Sequence, residues 1–155
     1  MVPATVERFH DATDSKFIEV AGGVRNTKWA DLFEIGYAYF DLEKENQHGF
    51  TISTPVGEVV NFENFHNIHS RFKKRVANLE LDFFGVFNRK TTVFVDTTRN
   101  RYDWFGDIIS QGSNTSGEFG SKTWVIFDFN NFVGRFNASY NLGGVKVTLN
   151  HTVYK

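Results

Sequence analysis

The sequence contains no cysteine, two prolines and one methionine among 155 residues. The absence of cysteine excludes disulfides, thiolate metal sites and cysteine nucleophiles, and it is typical of a reducing compartment. No apolar run approaches the roughly 20 residues that a membrane-spanning helix requires. The opening residues MVPATVERFHDATDSK lack the apolar stretch of a secretory signal peptide, so we expect synthesis in the cytoplasm without one.

An excess of charge of one sign is also missing. The chain carries 17 Lys and Arg against 18 Asp and Glu, a formal net charge of -1. This balance provides no long-range field to attract nucleic acid or an acidic membrane surface, and no terminus has the basic arm used in genome packaging. The length predicts a single domain over residues 1–155, and no repeat or linker divides it.

Aromatic residues, in contrast, are abundant. They make up 17% of the chain, and Phe contributes 18 residues. Each aromatic side chain that is buried removes about 150–250 Å² from water. A surplus of Phe left at the surface of so small a domain would indicate a subunit or ligand interface.

The residues from Val145 to Tyr154 alternate between apolar and polar side chains. Val145, Val147, Leu149, His151 and Val153 fall on one face, which predicts a half-buried antiparallel strand. Gly143-Gly144 precede this strand and favour a tight turn, so a hairpin with a strand over residues 132–141 is expected to close the chain.

Further strands are predicted from β-branched and aromatic runs bounded by turn residues. Lys122 to Phe129 carries apolar residues on both sides, which predicts a central strand that buries Trp124. Other candidates are residues 17–21, a hairpin of 32–42 with 50–54, and a hairpin of 79–87 with 91–96. The Gly- and Ser-rich segment 110–122 is predicted to be an exposed loop. About seven or eight strands predict a mainly β fold, an antiparallel sandwich or barrel.

One amphipathic helix is predicted near residues 61–77. Phe65, Ile68, Phe72 and Val76 recur at spacings of three and four, as on the buried stripe of a helix. Within that helix Glu63, His66 and His69 would spread over roughly 120° of the circumference, a poor geometry for zinc. We therefore predict no metal site.

The end of this segment concentrates positive charge at Arg71, Lys73, Lys74 and Arg75. Four cations are enough for weak, salt-sensitive contact with nucleic acid, but the balanced total charge argues against that role. An ordinary solvated helix end is the preferred interpretation, and in a capsid subunit these residues are expected to contact an acidic patch on a neighbouring subunit rather than nucleic acid.

A short second helix is predicted near residues 101–110. It would place Asp103 and Asp107 on one face, and a small hydrolase that uses these two carboxylates is one hypothesis. Trp29, Trp104, Tyr37 and Tyr39 are candidate ligand or interface residues, because exposed rings stack on sugars. These rings raise the alternative of a lectin-like β-sandwich module that binds carbohydrate.

No nucleophile elbow, phosphate loop or dinucleotide motif is complete in the sequence. We therefore predict no catalytic residue and no cofactor. The favoured function is a non-enzymatic structural subunit that works through protein–protein interfaces, as a homo-oligomer or within a larger assembly. A virion or phage-tail protein, in a decoration, tail or outer-shell role, is the expected instance, with the virion as its mature location and no membrane partner.

Overall fold

The computed structural model describes residues 5–49 and 52–155, and within these ranges it contains eight strands and no helix. The strands are β1 Thr13–Arg25, β2 Leu32–His48, β3 Pro55–Val76, β4 Leu79–Asp96, β5 Asn100–Tyr102, β6 Ile108–Gln111, β7 Thr123–Leu142 and β8 Val145–Tyr154. Six of them form an antiparallel sheet in the order β1-β2-β3-β4-β7-β8, and β5 pairs with β6. The prediction of a mainly β fold is confirmed.

The hairpin predicted at the end of the chain is confirmed. Leu142 pairs with Val145 across Gly143-Gly144, and Gly143 has a φ of 59°, which a side chain would disfavour. The antiparallel register continues without a shift to the pair Val133 and Tyr154. Because side chains of directly paired residues point to the same side, this register fixes which residues of β7 and β8 share a face.

The amphipathic helix predicted near residues 61–77 is wrong, because the segment from 61 to 76 lies within β3. Ile68, Phe72 and Val76 are four residues apart, and an even spacing also places side chains on one side of a strand. The sheet order puts β3 between β2 and β4, so its backbone groups have a hydrogen-bonding strand on both sides. Pairing with two neighbours therefore outweighs the helical pattern.

The short helix predicted near residues 101–110 is also wrong. This segment contains the ends of β5 and β6 and the turn that joins them. The Asp103 carboxylate accepts the backbone N–H groups of Phe105 and Asp107 at 2.8 and 3.1 Å. An aspartate that closes a turn in this way competes with helix formation.

Other strand boundaries also differ from the sequence-based expectation: β1 extends beyond 17–21, and β7 joins the strands predicted at 122–129 and 132–141. β4 runs without interruption from Leu79 to Asp96, through the residues 88–90 that were expected to form a loop. The strand predicted at 32–42 continues to His48. Of its expected partner at 50–54, residues 50 and 51 lie outside the described residues, and 52–54 form a turn before β3.

The burial predicted for Trp124 is wrong, since 69% of this residue is exposed. Ile126, on the same strand, is also exposed. Apolar residues on both sides of a strand do indicate that both sides favour contact with other protein. They do not show whether this chain or another one provides that contact.

The chain divides into two compact units. The first unit comprises Met1–Lys16, Asp41–Asn64 and Thr91–Asp128, and the second comprises Phe17–Phe40, Phe65–Lys90 and Phe129–Lys155. The second unit contains segments of all six strands of the large sheet, whereas the first unit holds the β5–β6 hairpin and segments of five of those strands. The single domain expected over residues 1–155 stays a prediction.

Candidate functional site

One side of the sheet in the second unit is an apolar surface, here called the apolar face. Alternate side chains of each strand point to this side of the sheet, and most of them are apolar. Their positions follow from strand alternation, from side-chain contacts and from the β7–β8 register. The apolar face includes Val20, Ile35, Tyr37, Ile68, Phe83, Phe132, Phe136, Val147, Leu149 and Val153, and the register places Tyr140, Leu142, Val145 and His151 on the same side.

Most of these side chains are open to solvent. Val20 is 63% exposed, Ile35 50% and Leu149 62%. Throughout the described part of the chain, the buried hydrophobic residues are only Ala30, Val56 and Val59. The sheet of the second unit therefore does not bury its own apolar face.

Two depressions lie on the apolar face. The first has a volume of about 460 Å³ and is lined by Val20, Ile35, Tyr37 and Ile68, together with glycine backbone. The second, of about 150 Å³, lies around Phe83, Phe132 and Phe136 and reaches His151 and Val153. Both are shallow and lined almost wholly by apolar atoms, so they suit apolar side chains of another protein layer.

Polar groups at this face bond to one another. The Tyr37 hydroxyl lies 2.8 Å from Nδ1 of His66, and the Tyr39 ring also contacts His66. Near the β1–β2 connection, the Trp29 ring stacks on Phe72 with a centroid distance of 6.5 Å. The face is thus an apolar surface on which the Tyr37 hydroxyl already has His66 as its hydrogen-bond partner.

The opposite side of the same sheet, here called the polar face, is built from ion pairs. Arg71 and Lys73 of β3 lie 3.3 and 3.5 Å from the Asp82 carboxylate of β4. Arg75 and Lys146 both bind Glu80, at 2.6 and 3.2 Å. On β3 and β4 these charges occupy every second position, so they lie on the side opposite the apolar face.

The four basic residues predicted for electrostatic contact are therefore already paired with carboxylates of this chain. The fourth, Lys74, lies 3.2 Å from Asp31, whose pKa is lowered chiefly by the backbone N–H of Arg75 and also by Lys74. The pKa of Glu80 is lowered by its hydrogen bonds from Arg75 and Lys146. A cavity of about 440 Å³ among these residues has a mixed lining of acids, bases, Asn137 and Ser139.

The first unit is organised around buried carboxylates. Asp96, only 1% exposed, accepts the backbone N–H groups of Glu118 and Phe119 at 2.5 and 2.9 Å. Glu118 in turn accepts the N–H groups of Gly57 and Glu58 at 2.7 and 2.8 Å. This set of bonds, here called the carboxylate clasp, ties the segment after β6 to the end of β4 and to β3.

Burial raises the pKa of Glu118, and the nearby charges of Asp96 and Glu58 act in the same direction. Its two backbone N–H donors oppose that shift. The loop predicted at 110–122 is exposed at several positions, but Gly117 and Glu118 within it are buried by the clasp. The clasp was missed because a lone acid in a Gly- and Ser-rich segment has no spacing that marks its partners.

A second polar group in this unit surrounds Glu58. Its Oε1 accepts hydrogen bonds from the Tyr102 hydroxyl at 2.5 Å, from Asn100 at 2.9 Å and from Thr98 at 3.2 Å. The bond from Tyr102 is the main reason why the pKa of Glu58 is lowered. The pKa of Tyr102 is raised by burial and then by its bond to the Glu58 carboxylate.

The rings predicted as ligand or interface residues fall in both units. Trp29, Tyr37 and Tyr39 belong to the second unit, where Trp29 and Tyr37 are exposed. Trp104 belongs to the first unit and lies half-buried in the β5–β6 turn. The structure therefore groups three of the four rings with the apolar face or its border.

Asp103 and Asp107 lie at the two ends of the same turn, where the Asp103 N–H donates to the Asp107 carbonyl at 2.9 Å. Among the described residues, no group of three or more His, Asp or Glu side chains is arranged to hold a metal ion. Within residues 5–49 and 52–155 no helix is long and apolar enough to cross a membrane.

Comparisons with protein-family models, with curated proteins and with solved structures found no match to this chain.

Apart from Tyr37, the residues of the apolar face on β1 to β4 were not recognised as interface residues from the sequence. The period-two pattern that marks β8 also occurs in β2, where Phe33, Ile35, Tyr37 and Tyr39 alternate with other residues. A count of alternating positions over each strand would have found part of the face. Its extent across six strands depends on the sheet order, which no local pattern contains.

Proposed function

We propose that this chain is a non-enzymatic structural subunit that works through protein–protein contact at the apolar face. The observation that supports this most directly is the exposure of Val20, Ile35 and Leu149 on one side of a sheet whose other side is ion-paired. Contiguous apolar patches of this extent are rare on soluble monomers and are typical of protein interfaces. A covering layer from another protein would complete the sandwich expected from the sequence.

A virion or phage-tail protein, in a decoration, tail or outer-shell role, is the instance we propose. Such shells are built from repeated contacts between β-rich subunits, and the long strands and near-neutral charge of this chain suit that use. The likeness to such shells in fold is an analogy, whereas the apolar face is a property of this chain's own residues.

The test is the mass of the purified protein in solution, measured by light scattering over a wide range of concentrations with negative-stain microscopy of the same fractions. We expect a discrete oligomer, or rings or tubes. A monomer at every concentration, with the apolar face still open to a hydrophobic dye, would contradict the proposal.

The two alternative functions stay predictions. A carbohydrate-binding module would use Trp29, yet one of its ring faces already stacks on Phe72. A hydrolase would use Asp103, whose carboxylate is occupied by two N–H groups of its own turn. Neither has an observation in the structure that favours it over contact at the apolar face.

A further inference from the structure

We infer that the occupant of the apolar face is a second copy of this chain, packed face to face about a two-fold axis. This inference rests on the proposed function and makes it specific. The two sheets would form a two-layer sandwich with the apolar faces inside and the polar faces outside.

The apolar face lacks a covering layer. A sheet with one apolar side is stable in water when another layer covers that side. In the second unit every described strand belongs to the same sheet, so none of them lies over the apolar face. Residues such as Ile35 and Leu149 remain open to water as a result. The covering layer must therefore come from another molecule.

The size of the apolar face suits a second copy of the chain. Six strands at about 4.8 Å spacing are about 24–29 Å wide, and the ten residues of β8 are about 33 Å long. The face thus offers about 800 Å² to a partner, which is the amount that each partner contributes to a stable interface of standard size. A second copy presents a face of the same area and outline, so the pair would leave no large apolar surface exposed to water.

The two sides of the sheet differ in polarity. Ion pairs such as Arg75 with Glu80 keep the polar face hydrated where β3, β4 and β8 contribute charges, so the apolar face is the side better suited to contact with another sheet. Pairing therefore ends at two layers and closes, as an isologous contact does. The formal net charge of -1 per chain provides little repulsion between copies.

Two adjacent residues of β8 provide a matched test. Leu149 points to the apolar face and Asn150 to the polar face, and both are exposed in the single chain. We expect Leu149→Lys to weaken self-association of the full chain at least about a hundredfold, because each copy would place a charge between the sheets. The control Asn150→Lys adds the same charge and is expected to change association by less than about threefold.

Ile35→Lys, on β2, repeats the test at a second place on the face and keeps it decisive if Leu149→Lys fails to fold. Circular dichroism of each variant checks that the strands are retained. Association is measured by light scattering at matched concentrations. An equal loss of association in Leu149→Lys and Asn150→Lys, with both folded, would overturn the inference.

The absence of cysteine allows a second readout, because an introduced cysteine is the only thiol. In the associated protein, we expect Leu149→Cys to react with a thiol reagent at least about tenfold more slowly than Asn150→Cys, and the protection to disappear on dilution. The substitution is small and keeps residue 149 apolar, so it preserves the contact being measured.

The outcomes separate this inference from the proposed function. An oligomer in which Leu149→Cys and Asn150→Cys react equally fast would overturn the face-to-face pair and leave an assembly through another surface. A closed oligomer with an odd number of copies would also overturn the pair alone. A monomer at every concentration would overturn both.

Discussion

The two units of this chain differ in where their side chains find partners. The first unit contains the buried residues Val56 and Val59 and the carboxylate clasp of Asp96 and Glu118. The second unit contains the apolar face, in which most large side chains are open to water. The first unit buries these two valines and the clasp although Phe105 and Trp124 within it are exposed, whereas the second unit gathers its exposed apolar side chains on one side of a sheet.

A high content of apolar residues in a segment does not by itself indicate a buried core. Trp124 and Leu149 are as apolar as Val59, but they lie 69% and 62% exposed. Burial depends on whether a second layer is present. Substitutions at the buried residues of the first unit should therefore disturb folding, whereas substitutions on the apolar face of the second unit should disturb association.

The largest effect on folding is expected from Gly117→Ala in the first unit. A Cβ at this position would lie 2.6 Å from the Asp96 carboxylate, which is buried and held by two N–H groups. We expect the free energy of unfolding to fall by up to about 3 kcal/mol, as for an overpacked core. Urea unfolding measures this change.

Gly120→Ala is the control for that substitution, in the same segment. No heavy atom lies within 4 Å of a Cβ at position 120. This variant should unfold at the same urea concentration as the original chain or slightly higher. If both alanine variants unfold alike, the carboxylate clasp does not hold the first unit together.

The same chemical change in both units gives the most direct comparison. Val59→Ala removes two methyl groups from a fully buried position and should cost about 2 kcal/mol of unfolding free energy. Val147→Ala removes them from a position that is 55% exposed, and in dilute solution it should cost less than about 0.5 kcal/mol.

The effect of Val147→Ala should also depend on the protein concentration. When the protein associates through the apolar face, Val147 becomes buried, so Val147→Ala should lower the thermal midpoint more at high protein concentration than at low. The effect of Val59→Ala should not depend on concentration. Thermal unfolding of both variants at two protein concentrations measures these effects. An equal concentration dependence for Val59→Ala and Val147→Ala would contradict the expected difference between the buried valine and the apolar face.

A smaller effect is expected from Tyr102→Phe in the first unit. It removes the hydroxyl that donates to Glu58 and keeps the ring. Because Glu58 is exposed, we expect a loss of about 0.5 kcal/mol near neutral pH. Chemical unfolding of the two proteins at matched pH provides the measurement.

The pH dependence of this variant has a definite sign. The pKa of Glu58 is lowered in the folded chain, chiefly by Tyr102, so the stabilisation is present above the pKa of unfolded glutamate. It is lost as the pH falls through the lower, folded value. The stabilities of the original chain and Tyr102→Phe should therefore converge in acid, and a gap that widens in acid would contradict this account.

The smallest effect is expected from Glu80→Gln on the polar face. Glu80 binds Arg75 and Lys146 at the surface, and its pKa is lowered by both. Solvent and salt screen such pairs, so the thermal midpoint should change little at low salt and not measurably at high salt. A large, salt-independent loss would mean that the polar face is buried in the assembled protein.

Much of the local structure was readable from the sequence. The alternation of Val145 to Tyr154 and the turn at Gly143-Gly144 identified the last hairpin, because a period of two and a positive φ are local properties. The segment 61–77 was misread because spacings of four fit both a helix and a strand. The turn at Asp103 was misread because a side-chain bond to nearby N–H groups leaves no periodic pattern.

The sequence by itself determined that this chain is mainly β, rich in Phe and without disulfides, and that its last strands form a hairpin. Only the tertiary structure decided that the apolar sides of six strands lie together, that Asp96 meets Glu118, and that Arg71, Lys73, Lys74 and Arg75 face carboxylates. The reason is physical. Periodicity and turn chemistry act over a few residues, whereas a face, a clasp and an ion pair join residues that strand pairing brings together from distant parts of the chain.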